Sequence, residues 1–295
     1  MQTESPHARP IRVAEKVARI AELRLRSQVS RTPVTGNAPV VVSLTSYGKR
    51  LDVVGHTLES IAAGSIRPRR MILWVDDPDF TVARYPMLKR LLARGLEIGR
   101  CENFLPHTKY YPTLASNGPL DVPLVTADDD ILYPKRWLEG LVAEGEKRPG
   151  TMLGYRAHWV AVDPEQGIQP YHLWPDAPRG LSSPNIFLTG VAGVLYPATL
   201  QRALYRRGSE FLEVAPRADD VWINAVAVDE GIPKMAIASP LVSHALIYPR
   251  TQSGGLHETN VSAGGNNAQI RATHDRLGLD SADYDHHLPT AGGRA

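Results

Sequence analysis

Three aspartates, Asp128-Asp129-Asp130, stand side by side directly after the apolar run Val122-Pro123-Leu124-Val125-Thr126. Adjacent carboxylates repel one another, so a purely structural role at a strand end is costly. Alternation along an extended chain puts Asp128 and Asp130 on one side and Asp129 on the other. Two carboxylates on one side make a seat for a hard divalent cation, Mg2+ or Mn2+, of the kind that also binds substrate phosphates. The alternative is a helix N-terminus, with Asp130 as cap and acidic neighbours favoured by the positive end of the following helix. A second acidic pair, Asp219-Asp220, opens a helical stretch that runs to Asp229 and also fits an N-cap with an acidic first turn. Between the two lies Thr189-Gly190-Val191-Ala192-Gly193, where small residues let backbone approach a ligand closely or simply mark tight packing.

The elements that must position these groups alternate along the chain. Val40 to Leu44 is a short β-branched run, Val53 to Ala63 reads as a helix stopped at Gly64, and Met71 to Val75 is a second buried strand. Tyr85 to Ala93 is helical with Gly95 just past its end, Leu96 to Ile98 is a weak strand, and Pro134 to Glu144 is a further helix. Strands alternating with helices predict an α/β fold with a mostly parallel sheet flanked by helices on both faces. In such sheets ligands sit at the carboxyl ends of the strands, and the acidic triplet falls at one of those ends. The flanks differ. Residues 1–39 form a basic amphipathic helix and linker, with Val13, Val17, Ile20 and Leu23 as its apolar stripe. Its Arg/Lys-rich face reads either as solvated or as an interfacial surface drawn to anionic lipid. Residues 40–250 carry the catalytic pattern, and residues 251–295 read as a glycine-rich lid, a short helix from Gln269 to Leu277 and a frayed tail.

Composition narrows the class. The chain has 295 residues, 43% hydrophobic and 22% charged, which excludes a wholly disordered polypeptide. One cysteine, Cys101, cannot close an internal disulfide or build a thiolate zinc cluster, and a reducing compartment is expected. A formal charge of +2 is too mild to indicate nucleic acid. No run approaches the roughly 18–20 apolar residues of a membrane span, and the first residues, MQTESPHARP, lack a secretory h-region. The expected location is cytoplasmic, with peripheral contact at the inner face of the membrane if the basic helix is used for it.

The segment TADDDILYPKRWL resembles the DXD region of GT-A-fold nucleotide-sugar glycosyltransferases, in particular the inverting family 2 type. VVVSLTSYGKRL, with the helix and strand that follow to Asp77, is similar to that family's opening β-α-β, and the likeness runs in order from Val40 to about Tyr248. The resemblance implies that Thr45, Ser46 and Tyr47 meet base and ribose, with Tyr47 stacking, and that Asp76 binds the nucleoside. It implies that Asp128 and Asp130 flank the ribose and a metal-bridged diphosphate. A second register, with Ala127 in the first position, makes Asp129 the metal ligand, so all three acids are candidates and Asp130 is preferred. Lys109 is placed to meet a diphosphate as a point charge, against the alternative of a solvated loop lysine beside buried tyrosines; Arg50 is a weaker candidate of the same kind. Gly190 matches the stretch lining donor sugar and acceptor. Asp220 corresponds to the family's general base with Asp219 beside it, and His244 to a late metal ligand, with His257 as competitor.

Taken together, these residues and the resemblance imply a metal-dependent transfer of sugar, inverting with retention as the alternative, from a nucleoside diphosphate sugar, UDP-sugar first and GDP- or dTDP-sugar next, to an acceptor hydroxyl. The acceptor classes are a lipid-linked glycan, a surface polysaccharide or a small molecule. Two alternatives stand beside it. A nucleotidyltransferase would usually show a glycine-rich basic signature after its first strand, where VSLTSYGKR has one glycine. A non-catalytic carbohydrate- or partner-binding module would keep the core and lose the acids.

Overall fold

The computed structural model describes residues 8–238, 246–247 and 265–285. After α1 (Ala8–Val29) come β1 (Ala38–Thr45), α2 (Val54–Ala62), β2 (Pro68–Val75), α3 (Pro86–Leu92), β3 (Glu97–Arg100), α4 (Tyr111–Asn117) and β4 (Leu124–Thr126). Then follow β5 (Ile131–Leu132), α5 (Trp137–Lys147), β6 (Met152–Gly154), β7 (Ala157–Trp159), β8 (Val162–Asp163), β9 (Gly167–Ile168), β10 (Ile186–Leu188) and β11 (Val194–Tyr196). The remainder is α6 (Ala198–Arg207), α7 (Phe211–Val214), α8 (Asp219–Asp229), β12 (Lys234–Ala236), β13 (Leu246–Ile247) and α9 (Gly265–Leu277).

Seven strands form the central sheet in the order β12-β6-β11-β4-β1-β2-β3. All neighbours pair in parallel except β11, which runs against both β4 and β6. The pleat sends alternate side chains to opposite faces. In β1, Val41 joins one apolar layer with Ile72, Leu124 and Trp222, while Val40, Val42 and Leu44 join the other with Leu58, Leu73 and Leu141. Both faces are therefore covered, which is why these strands read as continuous apolar runs rather than as alternating ones.

The reversed β11 positions the site. Val194 pairs with Thr126, so the chain entering β11 starts at the carboxyl end of β4. That brings the turn of residues 189–193 to the edge where the parallel strands end. Residues 186–196 are thus strand, turn and strand.

The helix α1 is tied down by charge as well as by packing. Glu59 of α2 is fully buried, accepts from Arg94 at 2.8 Å from Nη1, and forms an ion pair with Arg26 of α1, whose Nε lies 3.0 Å from Oε1. Arg90 Nε donates to Ser27 Oγ at 3.0 Å. Of the expected apolar stripe, Leu23 is buried while Val17 is 61% exposed. Removing the carboxylate would leave two guanidiniums facing each other, one of them buried. Breaking a buried pair in this way costs about 3–5 kcal/mol, so Glu59→Ala is expected to lose about that much in urea denaturation. Retention of wild-type stability would show that the ion cluster does not anchor α1. No described helix is long and apolar enough to cross a membrane.

The last described helix starts at Gly265, four residues before the predicted Gln269, and packs on α8. Its Gln269 accepts the Arg217 N–H at 2.8 Å, beside the start of α8. The glycine-rich stretch 251–264, read as a lid, lies outside the described residues.

Candidate functional site

The acidic triplet does not continue β4. The strand ends at Thr126, the chain turns at Asp129-Asp130 and enters β5 at Ile131. The next helix begins only at Trp137, with Arg136 before it, so the triplet caps no helix. The turn also breaks the two-residue alternation expected of an extended chain. Asp129 and Asp130 both face Arg50, whose Nη1 is 2.8 Å from Asp129 Oδ1 and 3.9 Å from Asp130 Oδ2, while Asp128 is bound by Lys109.

Asp129 is an internal brace. It is 5% exposed, accepts Ser46 Oγ at 2.8 Å through its other oxygen, and its carbonyl accepts Thr57 Oγ1 at 2.8 Å. Burial pushes its carboxyl up from the ordinary value, against the pull of Arg50 and Ser46. These bonds fasten the triplet to the loop after β1. The Ser46 hydroxyl and one arm of Arg50, expected at a nucleotide, are engaged with the protein itself. Thr45 likewise donates to the Trp74 carbonyl at 3.1 Å. Tyr47 is half exposed, its ring 5.7 Å from the Arg50 guanidinium, and so presents an aromatic face at the mouth of the edge. Asp76, just past β2, has its carboxyl raised by burial and by Asp77, and the Cys101 thiol beside it is pushed up to about 11 by burial and then by Asp76.

A second cluster gathers residues that the sequence separates widely. Lys109 Nζ donates to Asp128 Oδ1 at 2.5 Å. A Cβ placed on Gly190 would lie 3.5 Å from that Nζ and 4.0 Å from Asp219 Oδ2, so Lys109, Gly190 and Asp219 bound one small space. Burial disfavours the Lys109 charge, yet Asp128 and Asp219 outweigh it and hold the ammonium above its ordinary value. The solvated-lysine alternative therefore does not describe this residue.

Asp219 and Asp220 open α8. Asp219 is 8% exposed, and burial raises its carboxyl against the attraction of Lys109, with Asp128 adding to the rise. Asp220 is pushed up to about 7, by burial first and by the Asp219 charge next. Asp220 Oδ1 also accepts the Val221 N–H at 2.9 Å, so part of the first-turn role expected of this pair is present. A carboxyl that titrates near neutrality, as that of Asp220 does, has the property a general base needs at ordinary pH.

Several positioning groups were not visible from sequence. Tyr133 accepts the Asp128 N–H at 2.8 Å. His107, fully buried and stacked on Phe211 at 3.9 Å, meets the Ala215 carbonyl at 2.7 Å and so ties the Lys109 turn to the approach to α8. Asn224 donates to the Leu188 and Asp220 carbonyls, each at 2.8 Å, and accepts the Leu188 N–H at 2.9 Å. Its place one helical turn after Asp220 was the only signal available for it.

The turn at 189–193 has little freedom. Ala192 has φ +70 and Gly193 φ +93, and Trp137 Nε1 donates to the Ala192 carbonyl at 2.7 Å. A Cβ on Gly193 would meet Trp137 Cζ2 at 2.7 Å and the Thr126 carbonyl at 3.0 Å. Gly193→Ala is expected to destabilise by about 2–4 kcal/mol, combining overpacking with left-handed backbone strain. A thermal melt within 1 °C of wild type (about 0.3 kcal/mol on the usual scale) would contradict this.

Among the described residues no group of three or more His, Cys, Asp or Glu forms a metal-binding cluster. The donor chemistry still suits a hard divalent cation. Asp128 and Asp130 offer carboxylate oxygens, and the Lys109 hydrogen bond to Asp128 is made through Oδ1. Mg2+ and Mn2+ sites commonly use one or two protein carboxylates and complete the shell with water and substrate phosphate. His244 and His257 lie outside the described residues.

No family model and no curated protein matches the sequence. Among solved structures, the mannosyltransferase PcManGT from Pyrobaculum calidifontis, in complex with GDP-Man and Mn2+, matches 95% of this chain and 77% of its own, with 16% identity and a TM-score of 0.51. The fold is GT-A-like. A CMP:2-keto-3-deoxy-manno-octonic acid synthetase complexed with CTP matches 67% of this chain and 88% of its own at 12% identity and TM-score 0.41. The 4-diphosphocytidyl-2C-methyl-D-erythritol synthase of Anaerococcus prevotii matches 80% and 97% at 13% identity and TM-score 0.46. In this GT-A-like sheet both clusters lie where β1, β2 and β4 end, the edge at which open α/β sheets receive ligands.

Proposed function

We propose that this chain is a glycosyltransferase that moves a sugar from a nucleoside diphosphate sugar, UDP-sugar first, to an acceptor hydroxyl with inversion. The observation that carries the reading is the convergence of Lys109, Asp128, Gly190 and Asp219 at the carboxyl edge of the sheet, with Asp220 beside them. Tyr47 and Asp76 border the edge where base and ribose would lie. Asp128 and Asp130 would hold Mn2+ or Mg2+, which when bound offsets charge on the departing diphosphate. Lys109 adds a fixed positive charge on the same side. Gly190 leaves room for the sugar against Lys109. Asp220 accepts the acceptor's proton as its oxygen attacks the anomeric carbon, and Asn224 fixes the turn of helix from which it acts. The acceptor would be a glycan, a lipid-linked glycan or a small molecule.

The test is thermal unfolding against UDP, GDP, dTDP and ADP, each with Mn2+ and with EDTA. Ligand that binds only the folded chain raises its stability by about 2.7 kcal/mol at a hundredfold excess over Kd. A metal-dependent rise for one nucleotide, followed by slow release of free sugar from the matching nucleotide sugar, is the expected result. No rise with any nucleotide would overturn the reading, and pyrophosphate release from a nucleoside triphosphate and a sugar phosphate would replace it with nucleotidyl transfer.

A further inference from the structure

A cleft lies between α1, the start of α2 and the start of α3, with a volume of about 320 Å³. None of its lining residues belongs to the two clusters at the sheet edge. Three arginines line it: Arg24 from α1, Arg84 from the turn before α3, and Arg90 from α3. Gln28 adds a neutral polar group, Asp52 is the one carboxylate, and His56 forms part of the wall.

Several arginines elsewhere meet carboxylates: Arg26 and Arg94 on Glu59, Arg70 on Glu97, Arg206 on Glu230. Among the described residues Arg24, Arg84 and Arg90 make no ion pair. Arg90 is nevertheless oriented, because its Nε donates to buried Ser27, leaving the two terminal nitrogens for another acceptor. The Arg24 charge is felt at His56, whose imidazole burial already pushes below its ordinary value. The walls are fixed in place: a Cβ on Gly55 of α2 would lie 2.7 Å from Met87 Cβ of α3, so the two helices are in direct contact. A preformed concave site with three guanidiniums and one carboxylate suits an anion with several acceptor oxygens, and Arg is the side chain best matched to phosphate.

We propose that this cleft binds a phosphate ester at a site separate from the sheet edge. Two sources share that chemistry, a soluble phosphorylated compound and the headgroup of an anionic lipid. Val17, Leu25 and Val29 of α1 are each at least 60% exposed, on the helix that also supplies Arg24, which gives a lipid surface something apolar to meet.

The experiment titrates the full chain with inorganic phosphate and pyrophosphate by calorimetry, and with phosphatidylcholine vesicles containing phosphatidylglycerol by co-sedimentation. Each arm is repeated with Arg24→Glu/Arg84→Glu, which leaves the Arg90–Ser27 bond intact, and with Arg90→Gln. Saturable phosphate binding weakened at least tenfold in both variants supports a soluble ligand. Vesicle binding lost in both variants, with none in pure phosphatidylcholine, supports a headgroup. Binding in neither arm, or binding unchanged by the variants, overturns the proposal. Asp128→Asn should leave either signal intact, so failure here and failure of the glycosyltransferase reading are separable.

Discussion

Asp220→Asn is expected to lower turnover about 10²–10⁴-fold, the usual contribution of a positioned acid or base, while nucleotide affinity stays within twofold. Wild-type turnover should rise with pH through about 7, where Asp220 gives up its proton. The variant's residual rate should lack that limb. A variant with normal turnover would remove Asp220 from the role and turn attention to Asp219.

The same substitution should stabilise the fold at alkaline pH. Asp220 has a folded-state pKa above the value near 3.9 of an unfolded aspartate, because burial and Asp219 disfavour its charge. As pH rises from about 4 towards 7, the unfolded chain releases this proton while the folded chain retains it. The group's contribution is therefore fully present below about pH 4 and is lost as pH rises through the folded value. Asparagine does not titrate, so the variant should gain about 1–2 kcal/mol over wild type at pH 8 and little at pH 4. Urea denaturation at the two pH values measures this directly. Equal stability differences at both would mean that the Asp220 charge is not penalised in the folded state. A gain in stability coupled to a loss of turnover is characteristic of a functional group held in an unfavourable environment.

How far these features were legible in the sequence depends on the range of the interaction. Val40 to Leu44 and Met71 to Val75 announced buried strands because both faces of the sheet are covered. The Asp219 helix was bounded correctly because its acids and following apolar run are local signals. The direction of β11 was not legible, since alternation is the same for parallel and antiparallel strands. The triplet was placed at the correct strand end, but its facing was misjudged because the turn at Asp129-Asp130 interrupts the extended chain. Glu59 passed as one polar residue of a helix, for its partner Arg94 lies 35 positions away. The link between Lys109 and Asp219 could not be seen either, because it exists only once β4, β10 and α8 are assembled around Gly190.

Lys109→Met tests that assembly most severely. In the wild type one ammonium serves two carboxylates, Asp128 at 2.5 Å and the buried Asp219. Removing it leaves both acids without a cation, and unpairing a buried charge costs about 3–5 kcal/mol. Asp219, whose carboxyl burial already raises, can escape that cost by taking up a proton. The deficit should therefore be largest near pH 8, where that proton must be held against a low concentration, and should shrink towards pH 5. Turnover should fall at least about a hundredfold (about 2.7 kcal/mol in the barrier). Lys109→Arg should not restore it, because the space beside Gly190 and Asp219 fits a compact ammonium better than a planar fork. Lys109→Met combined with Asp128→Asn should recover part of the lost stability, since the second change removes one of the stranded charges and the two sites are in contact. If the single variant matched wild-type stability at pH 8, or if its deficit were the same at pH 5, Lys109 would not be balancing these carboxylates. Its place at the sheet edge would then be a matter of packing.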